Sequence, residues 1–381
     1  MTAEALKHSA PTRPSDHPAS TESPASRTPG ASSDKEIQSL VHRLRQGDIR
    51  ALARAISLVE NGAPEARALL SACFAHAAGA LRIGITGSPG AGKSTLVDRL
   101  AAHYRAAGKT VGVVAVDPSS PFTGGAILGD RIRFQNFTSD PGFYARSMAT
   151  RGSLGGLAAT TADAALVLEA SGKEVILIET VGVGQDEIEI ARLADITVVV
   201  LIPGMGDDVQ SLKAGVMEIA DIFVVNKSDR EGADRVEQEI HSLQSLATGP
   251  AHESVLRGHG FSRADKNTNA EGALPPERQF SWTPPVIRTI ATMNTGTGEL
   301  AAAIAALEEK MRTTNHLVER RARHWRRRLD AMLRTELLRR ALQHGLTDSQ
   351  LAGYAKRIAA GHEDPWQLVA QLAQKVFSAG P

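Results

Sequence analysis

Between residues 81 and about 310, short apolar runs alternate with longer stretches of helical periodicity. The runs are rich in β-branched residues and apolar at consecutive positions, which is typical of strands that helices cover on both faces. The pattern therefore predicts an α/β fold with a doubly wound, mostly parallel sheet. We expect strands at 81–86, 111–116, 174–178, 196–202, 222–225 and 286–290, and, from a weaker pattern, at 143–148.

The segments on either side of this unit differ from it in composition and periodicity. Gly47 marks a break between two helical patterns, and Asn61 marks the end of the second pattern. We divide the chain into a disordered tail at 1–34, a helical N-terminal extension at 35–80, a central domain at 81–312 that contains a loop insertion at 248–281, and a helical C-terminal region at 313–381.

Composition excludes several classes of function. The 381 residues have a formal net charge of +1, so no overall charge attracts the protein to nucleic acid or to a membrane surface. Cys73 is the single cysteine, which excludes an intramolecular disulfide and a multi-cysteine metal site. No apolar run reaches the ~18 residues of a membrane span. We therefore expect a cytoplasmic protein with no membrane association.

The segment from Gly87 to Ser94 has the P-loop spacing G-x-x-x-x-G-K-[ST] and lies between a predicted strand and a helix. Its glycines allow consecutive backbone N–H groups to face a phosphate. Lys93 is expected to reach the β- and γ-phosphates, and the Ser94 hydroxyl to ligate Mg²⁺. The predicted nucleotide-binding residues of this segment are Gly87, Ser88, Pro89, Gly90, Ala91, Gly92, Lys93, Ser94 and Thr95.

The base is predicted from a second motif. The strand at 222–225 is followed by Asn226, Lys227, Ser228 and Asp229, the N-K-x-D pattern of guanine-specific proteins. A carboxylate at Asp229 can accept hydrogen bonds from both N1–H and the N2 amine of guanine, whereas adenine has no such pair of donors. Asn226 and Lys227 are expected to order the loop and cover the base. The chain is therefore predicted to bind GTP and GDP rather than ATP.

Two acidic residues end other predicted strands. Asp117 is a candidate ligand for Mg²⁺ or water, or it caps the turn that follows. Glu179 occupies the position at which P-loop proteins commonly have an acidic residue, and Gly182 has the spacing to meet a γ-phosphate through its N–H. We expect Lys93, Asp117 and Glu179 to act in phosphoryl transfer, with low intrinsic GTP hydrolysis.

Two further residues have weaker assignments. Gln185 either positions water or is an ordinary surface residue. Ala291 begins a loop that only approximates the S-A-x-x-G-x-G segment that backs a guanine, and its backbone N–H could donate to guanine O6. Neither assignment changes the prediction of a nucleotide site.

Several motifs together identify a resemblance. The segments are Asp117–Phe122, Gly129–Arg131, Met148–Gly152, Glu179–Gln185, Lys213–Gly215 and Asn226–Asp229. In this combination the chain resembles the MeaB/ArgK family of SIMIBI-class P-loop GTPases, whose human counterpart is the methylmalonic aciduria type A protein. The resemblance extends over roughly residues 35–310 and into the C-terminal helices.

The resemblance implies a homodimeric GTPase that acts as a chaperone for an adenosylcobalamin-dependent acyl-CoA mutase of the methylmalonyl-CoA mutase type. Such a protein gates cofactor loading and protects the mutase. It also implies that Ser94, Asp117, Asp130 and Glu179 surround Mg²⁺ and the attacking water. The segment from Gly204 to Lys213 would be a nucleotide-dependent switch, in which Lys213 is either a switch contact or an ordinary surface lysine. Which mutase is served, and whether cobalamin touches this chain, stay open.

Alternatives to this function remain. One is a GTPase metallochaperone for another metalloenzyme, which would need clustered Cys and His ligands. Another is a nucleotide-dependent regulator or kinase linked to basic amino-acid transport. A third is nucleic-acid binding through 318–340, which contains nine Arg and three acidic residues. We favour a dimerisation arm, because Trp325, Leu329, Met332, Leu333 and Leu337 form an apolar stripe that predicts a buried face on this helix.

Overall fold

The computed structural model describes residues 31–117, 139–149, 156–180, 193–204, 219–248, 280–343 and 347–378, together with Phe134 and Phe137. Within these residues seven parallel strands form one sheet, in the order β3-β2-β4-β1-β5-β6-β7. The strands are β1 Leu81–Gly87, β2 Val111–Asp117, β3 Phe143–Ala149, β4 Val175–Thr180, β5 Ile196–Leu201, β6 Ile222–Asn226 and β7 Val286–Thr289.

The sheet confirms the predicted fold class, including the strand that had the weakest sequence pattern. β3 lies at one edge and pairs with β2 along its whole length, from Val111 opposite Phe143 to Asp117 opposite Ala149. β1 lies between β4 and β5. The chain places β2, β3 and β4 on one side of β1 and then crosses to the other side, where β5, β6 and β7 lie. Ligands of such sheets bind at the carboxyl ends of the strands near this reversal.

Helices cover both faces of the sheet. The α-helices of the described residues are α1 Ala31–Arg45, α2 Ile49–Glu60, α3 Ala66–Phe74, α4 Lys93–Ala106, α5 Gly156–Ala170, α6 Ala233–Thr248, α7 Thr297–Thr313, α8 His316–Gln343, α9 Asp348–Ala359 and α10 Pro365–Ser378. In β4, Val175 and Leu177 join one core, and Ile176 and Ile178 join the other. Both faces of the strand are therefore buried, which explains its uninterrupted apolar run.

The N-terminal extension is a group of three helices packed on one face of the sheet. Gly47, at φ +83°, separates α1 from α2, and the Asp48 side chain caps α2 by accepting from the N–H groups of Arg50 at 2.9 Å and Ala51 at 3.1 Å. The end of α2 at Glu60 matches the prediction, whereas α3 was not predicted. α1 begins at Ala31, inside the segment interpreted as a tail, and the predicted domain boundaries stay predictions.

The apolar stripe of the long C-terminal helix α8 is only partly covered within the single chain. Trp325 packs edge-on against Phe74 of α3 at a ring-centroid distance of 5.5 Å. The rest of the predicted apolar stripe is not buried within the single chain, and Leu329, Met332 and Leu333 are 52–59% exposed. No element among the described residues covers those side chains, and the dimerisation arm, in which a second copy would bury them, stays a prediction.

Many arginines of α8 contact acidic residues of the same chain. The pairs are Arg320–Asp221, Arg321–Asp195, Arg328–Asp163, Arg334–Asp330, Arg339–Glu336 and Arg340–Glu336. These ion pairs neutralise much of the positive charge that suggested nucleic-acid binding. In the described residues, no helix is long and apolar enough to cross a membrane. The predicted insertion lies mostly outside the described residues.

Candidate nucleotide-binding site

The P-loop connects the carboxyl end of β1 to the start of α4, as the sequence predicts. Gly90 and Gly92 have positive φ angles of 72° and 85°, a backbone conformation that glycine adopts without the cost imposed by a Cβ. A Cβ on Gly92 would lie 2.4 Å from the Asn226 amide nitrogen, and one on Gly87 would lie 2.1 Å from the carbonyl oxygen of Val200. The glycines therefore allow a tight loop that also packs closely against β5 and the end of β6.

Lys93 is the first residue of α4, and its side chain turns back along the P-loop. It is only 5% exposed, and its Nζ donates to the carbonyl oxygens of Gly87 at 2.6 Å and Ser88 at 2.9 Å. Pro89 and Gly90 form the exposed crest of the loop. A buried ammonium at a helix N-terminus, beside a glycine-rich crest, is chemically suited to binding phosphate oxygens.

Ser94 and Glu179 lie together although 85 residues separate them. β4 is the neighbour of β1, with Glu179 paired opposite Ile85, so the end of β4 lies beside the P-loop. The Ser94 hydroxyl donates to Oε1 of Glu179, whose side chain is 2% exposed. A hydroxyl and a carboxylate in contact at a phosphate-binding loop supply oxygen ligands of the type that Mg²⁺ prefers. The donor set therefore fits the predicted ion.

Asn226 joins the P-loop to the segment after β7. Its side-chain amide donates to Ala91 O at 2.7 Å, and its Oδ1 accepts from the Ala291 N–H at 3.1 Å and from the Thr289 hydroxyl at 3.0 Å. The side chain is 2% exposed, so these bonds satisfy a buried amide. The Ala291 N–H, which sequence reasoning assigned to guanine O6, donates to Asn226 in this structure. Ala291 therefore orders the loop.

Lys227 makes a second connection between the two predicted motifs. Its backbone is in the left-handed region, with φ +54°, and its Nζ donates to Gly90 O at 2.8 Å. The N–H of the next residue, Ser228, donates to Thr289 O at 3.1 Å. Asp229 is exposed and makes no hydrogen bond or ion pair with another described residue. Its carboxylate is therefore available to a base placed over this loop.

Arg99 is a site residue that sequence reasoning missed. It lies on α4, and its guanidinium donates to Ala291 O at 3.1 Å and to Thr292 O at 3.4 Å. The same turn needs Gly296, with φ +78°, because a Cβ there would lie 2.1 Å from Arg288 O. The sequence around Arg99 contains no signal for its contact with the loop after β7, because 192 residues separate the two contacting residues in the chain.

Other predicted site residues are not described at the level of side chains. Asp117 ends β2, and only its backbone position is described, whereas Thr95 lies in the first turn of α4 and is partly buried. Asp130, Gly182, Gln185 and Lys213 lie outside the described residues. Among the described residues, no three His, Cys, Asp or Glu side chains form a group that could bind a metal. The roles assigned to all these residues stay predictions.

Comparison with known proteins gives a consistent result. The family described as "Methylmalonyl Co-A mutase-associated GTPase MeaB" matches residues 52–345. A putative GTPase of Pyrococcus abyssi is 42% identical over 90% of this chain and 98% of its own length.

GTPase ArgK of Escherichia coli is 42% identical over 54% of this chain and 63% of its own length. The mitochondrial methylmalonic aciduria type A homolog of Caenorhabditis elegans is 39% identical over 51% of this chain and 53% of its own.

The solved structure of a protein named as a LAO/AO transport system kinase is also similar. It has a TM-score of 0.59 and 26% sequence identity, and the match covers 89% of this chain and 97% of that one. The similarity extends beyond the central sheet into the helical regions at both ends.

Proposed function

The chain belongs to the MeaB family of GTPases, and from this premise we propose that it is a GTP-hydrolysing chaperone for an adenosylcobalamin-dependent acyl-CoA mutase of the methylmalonyl-CoA mutase type. The observation on which the nucleotide part rests is the direct link between the P-loop and the N-K-x-D loop through Asn226 and Lys227. The names of the family and of the Caenorhabditis elegans relative support the choice of partner.

In this proposal the P-loop binds the phosphates and the N-K-x-D loop binds guanine. Lys93 exchanges its two carbonyl contacts for phosphate oxygens, and Asp229 accepts from guanine N1–H and N2. Ser94, Asp117, Asp130 and Glu179 would bind Mg²⁺, which neutralises charge on the β- and γ-phosphates when bound. Gly182 is assigned to the γ-phosphate, and Gln185 to the attacking water.

Nucleotide-dependent contact with the mutase is assigned to the segment from Gly204 to Lys213. Order in such a segment depends on the γ-phosphate in many GTPases, so hydrolysis can change the surface offered to a partner. We expect a low intrinsic rate, because ordering these residues requires the partner. The proposed chaperone gates cofactor loading and protects the mutase, and we propose a cytoplasmic location.

A homodimer through α8 is the second part of the proposal. Leu329, Leu333 and Leu338 are each 57–59% exposed on one helix, and burying such side chains against a second copy is favourable. Replacing both Leu329 and Leu333 with Glu is expected to give a monomer in light scattering. Ile49→Glu on α2, at a residue that is 50% exposed, is the control and should leave the dimer intact.

The deciding experiment measures GTP hydrolysis with and without a purified adenosylcobalamin-dependent mutase from the same organism. We expect at least about tenfold acceleration by the mutase. Lys93→Ala should abolish hydrolysis, whereas Lys35→Ala, at an exposed lysine of α1, should not change it. A rate that the mutase leaves unchanged would contradict the assigned partner while leaving the GTPase intact.

The same reaction can test the kinase alternative, which is suggested by the name of the similar solved structure. With the γ-phosphate of GTP labelled, a GTPase releases the label as inorganic phosphate. A kinase transfers it to a protein side chain. Label retained on protein after denaturing gel electrophoresis would contradict the chaperone proposal and support the kinase.

A further inference from the structure

A cavity of about 280 Å³ lies at the end of the sheet opposite the P-loop. Its lining includes Arg82 near the start of β1 and Asp195 before β5, whereas the P-loop follows the carboxyl end of β1. Helices α3, α5 and α8 form its walls. This volume is near the lower end of the range of ligand pockets, about 300 Å³, and is enough for a small organic molecule.

The floor of the cavity consists of paired charges. Glu169 is 5% exposed and accepts from the Arg82 guanidinium at 2.8 Å and from the Ala80 N–H at 3.2 Å. Asp195 is 1% exposed and accepts from Arg321 at 2.6 and 2.8 Å and from the Arg82 N–H at 3.0 Å. Because these carboxylates already have partners, a ligand need not supply positive charge to them.

The walls combine apolar side chains with a stacked guanidinium. Phe74 and Trp325 meet edge to face, and Leu166 and Leu193 add aliphatic surface. Arg328 lies over the Trp325 ring, 5.2 Å from its centroid, and pairs with Asp163. These walls suit a flat or branched apolar body, such as an aromatic ring or a short aliphatic chain.

Two polar side chains of the lining make no hydrogen bond or ion pair with any other described residue. His324 is partly buried, and burial, together with Arg320, lowers its pKa to about 4, so its imidazole is neutral at pH 7. Arg327 is exposed at the rim and is positively charged. The cavity therefore presents one unpaired cation and one neutral imidazole beside apolar walls.

We propose that this cavity binds a small organic carboxylate that has an apolar body. The carboxylate pairs with Arg327, the body lies against Phe74, Trp325 and Leu166, and the His324 imidazole donates one hydrogen bond to the ligand. The cavity has a cation at its rim and apolar walls inside, so a ligand that uses both needs a carboxylate and an apolar body in one molecule. The charge-assisted hydrogen bond and the apolar burial each contribute to affinity. This inference does not depend on the identity of the mutase.

Binding at this position has a structural consequence. The ligand would contact α3, α5 and α8 together, and these elements belong to the N-terminal extension, the central domain and the C-terminal region. A ligand that binds only the folded chain raises the free energy of unfolding in proportion to the logarithm of its concentration above Kd. Occupancy should therefore strengthen the packing of α8 on the central domain.

The test uses benzoate and phenylacetate as probes of the full chain saturated with GDP and Mg²⁺, so that the P-loop cannot bind the carboxylate. Ligand-observed NMR titration gives the Kd, with acetate and benzyl alcohol as probes that have only the charge or only the ring. We expect one site for benzoate or phenylacetate, and at least about tenfold weaker binding of acetate and benzyl alcohol. Failure of both aromatic acids to saturate below about 10 mM would overturn the proposal.

Variants locate the site. Arg327→Gln should weaken binding about tenfold, and Ala162→Leu, which places a larger side chain in the cavity, should abolish it. Arg326→Gln is the matched control, because Arg326 is a neighbour that is also exposed but lies outside the cavity lining. Equal effects of the two arginine variants would contradict the proposal. Their comparison remains decisive if Ala162→Leu fails to fold.

Discussion

The two ends of the sheet organise polar side chains in different ways. At the carboxyl end, Lys93, Asn226 and Lys227 donate to backbone carbonyls of the P-loop, and glycines make the close approach possible. At the amino end, Arg82 and Arg321 pair with the buried carboxylates Glu169 and Asp195. The first arrangement orders a loop for a ligand, whereas the second connects distant parts of the chain.

The comparison explains why the two ends respond differently to change. Contacts to backbone carbonyls can be exchanged for contacts to a nucleotide, because the carbonyls return to solvent or to other donors. The partners of a buried ion pair have no ligand with which to exchange their contacts. Removing one partner therefore leaves an unpaired charge in a region of low polarity. We therefore expect the loss of a charge partner at the amino end to affect mainly stability, and the replacement of an exposed nucleotide-contacting side chain at the carboxyl end to affect mainly binding.

The largest expected effect is a loss of stability when a buried ion pair at the amino end is broken. Asp195→Asn removes the negative charge that pairs with Arg321, and should lower the free energy of unfolding by about 3 kcal/mol. Asp330→Asn, in the exposed pair with Arg334, should change it by less than about 1 kcal/mol. Urea denaturation measures both. Equal losses would contradict the distinction between buried and exposed pairs.

At the carboxyl end, Gly87→Ala should cost about 3 kcal/mol of stability and abolish GDP binding. The added Cβ would overlap the backbone of Val200, and φ is +135°. Gly90→Ala is the matched control. Its φ of +72° is also positive, but no atom lies within 4 Å of the added Cβ, so the expected cost is about 1 kcal/mol. Thermal unfolding and fluorescent GDP titration distinguish the two variants. Similar losses of stability and GDP binding would show that overlap with the Val200 backbone does not cause the effect of Gly87→Ala.

Asp229→Asn should affect nucleotide preference without affecting stability. Asp229 is exposed, so its replacement should leave the fold unchanged, whereas one of the two guanine donors then faces an NH2 group instead of a carboxylate oxygen. GTP affinity should fall about 10- to 100-fold, and affinity for xanthosine triphosphate should rise, because the new amide can donate to the xanthine 2-oxo group. Competition binding with both nucleotides measures the change. An unaltered preference would exclude Asp229 as the base-contacting residue.

The smallest expected effect is a pH dependence at the amino end. Burial lowers the pKa of His324 from 6.5 to about 4 in the folded chain. Between these values the unfolded chain binds a proton that the folded chain does not, so stability is complete above about pH 6.5 and falls as the pH falls toward 4. The pKa of His316 is also lowered, mainly by burial, and contributes in the same direction.

Thermal unfolding from pH 7 to pH 5 tests this dependence. His324→Gln should reduce the loss of stability over that interval, whereas His362→Gln, at an exposed histidine, should leave it as in the parent. If stability fell equally steeply with pH in the unmodified protein and in the His324→Gln variant, the pH dependence could not be assigned to His324.

Sequence reasoning identified the sheet, the P-loop and the N-K-x-D loop because each depends on local spacing. Consecutive apolar positions indicate strands buried on both faces, and glycine positions indicate loops with positive φ. The same reasoning does not tell what covers the apolar stripe of α8, because Leu329 and Leu333 have helical periodicity but are exposed in the single chain. Periodicity predicts an apolar face, and only packing decides whether that face is covered.

By itself, the sequence determined the α/β class, the nucleotide motifs and the family, since these depend on residues that are close together in the chain or on a characteristic series of motifs. The tertiary structure decided the strand order, the use of the Ala291 N–H by Asn226, the contact of Arg99 with Ala291 and the cavity beside α8. These features join residues from 65 to more than 200 positions apart. Such contacts depend on how whole elements pack, which local spacing does not specify.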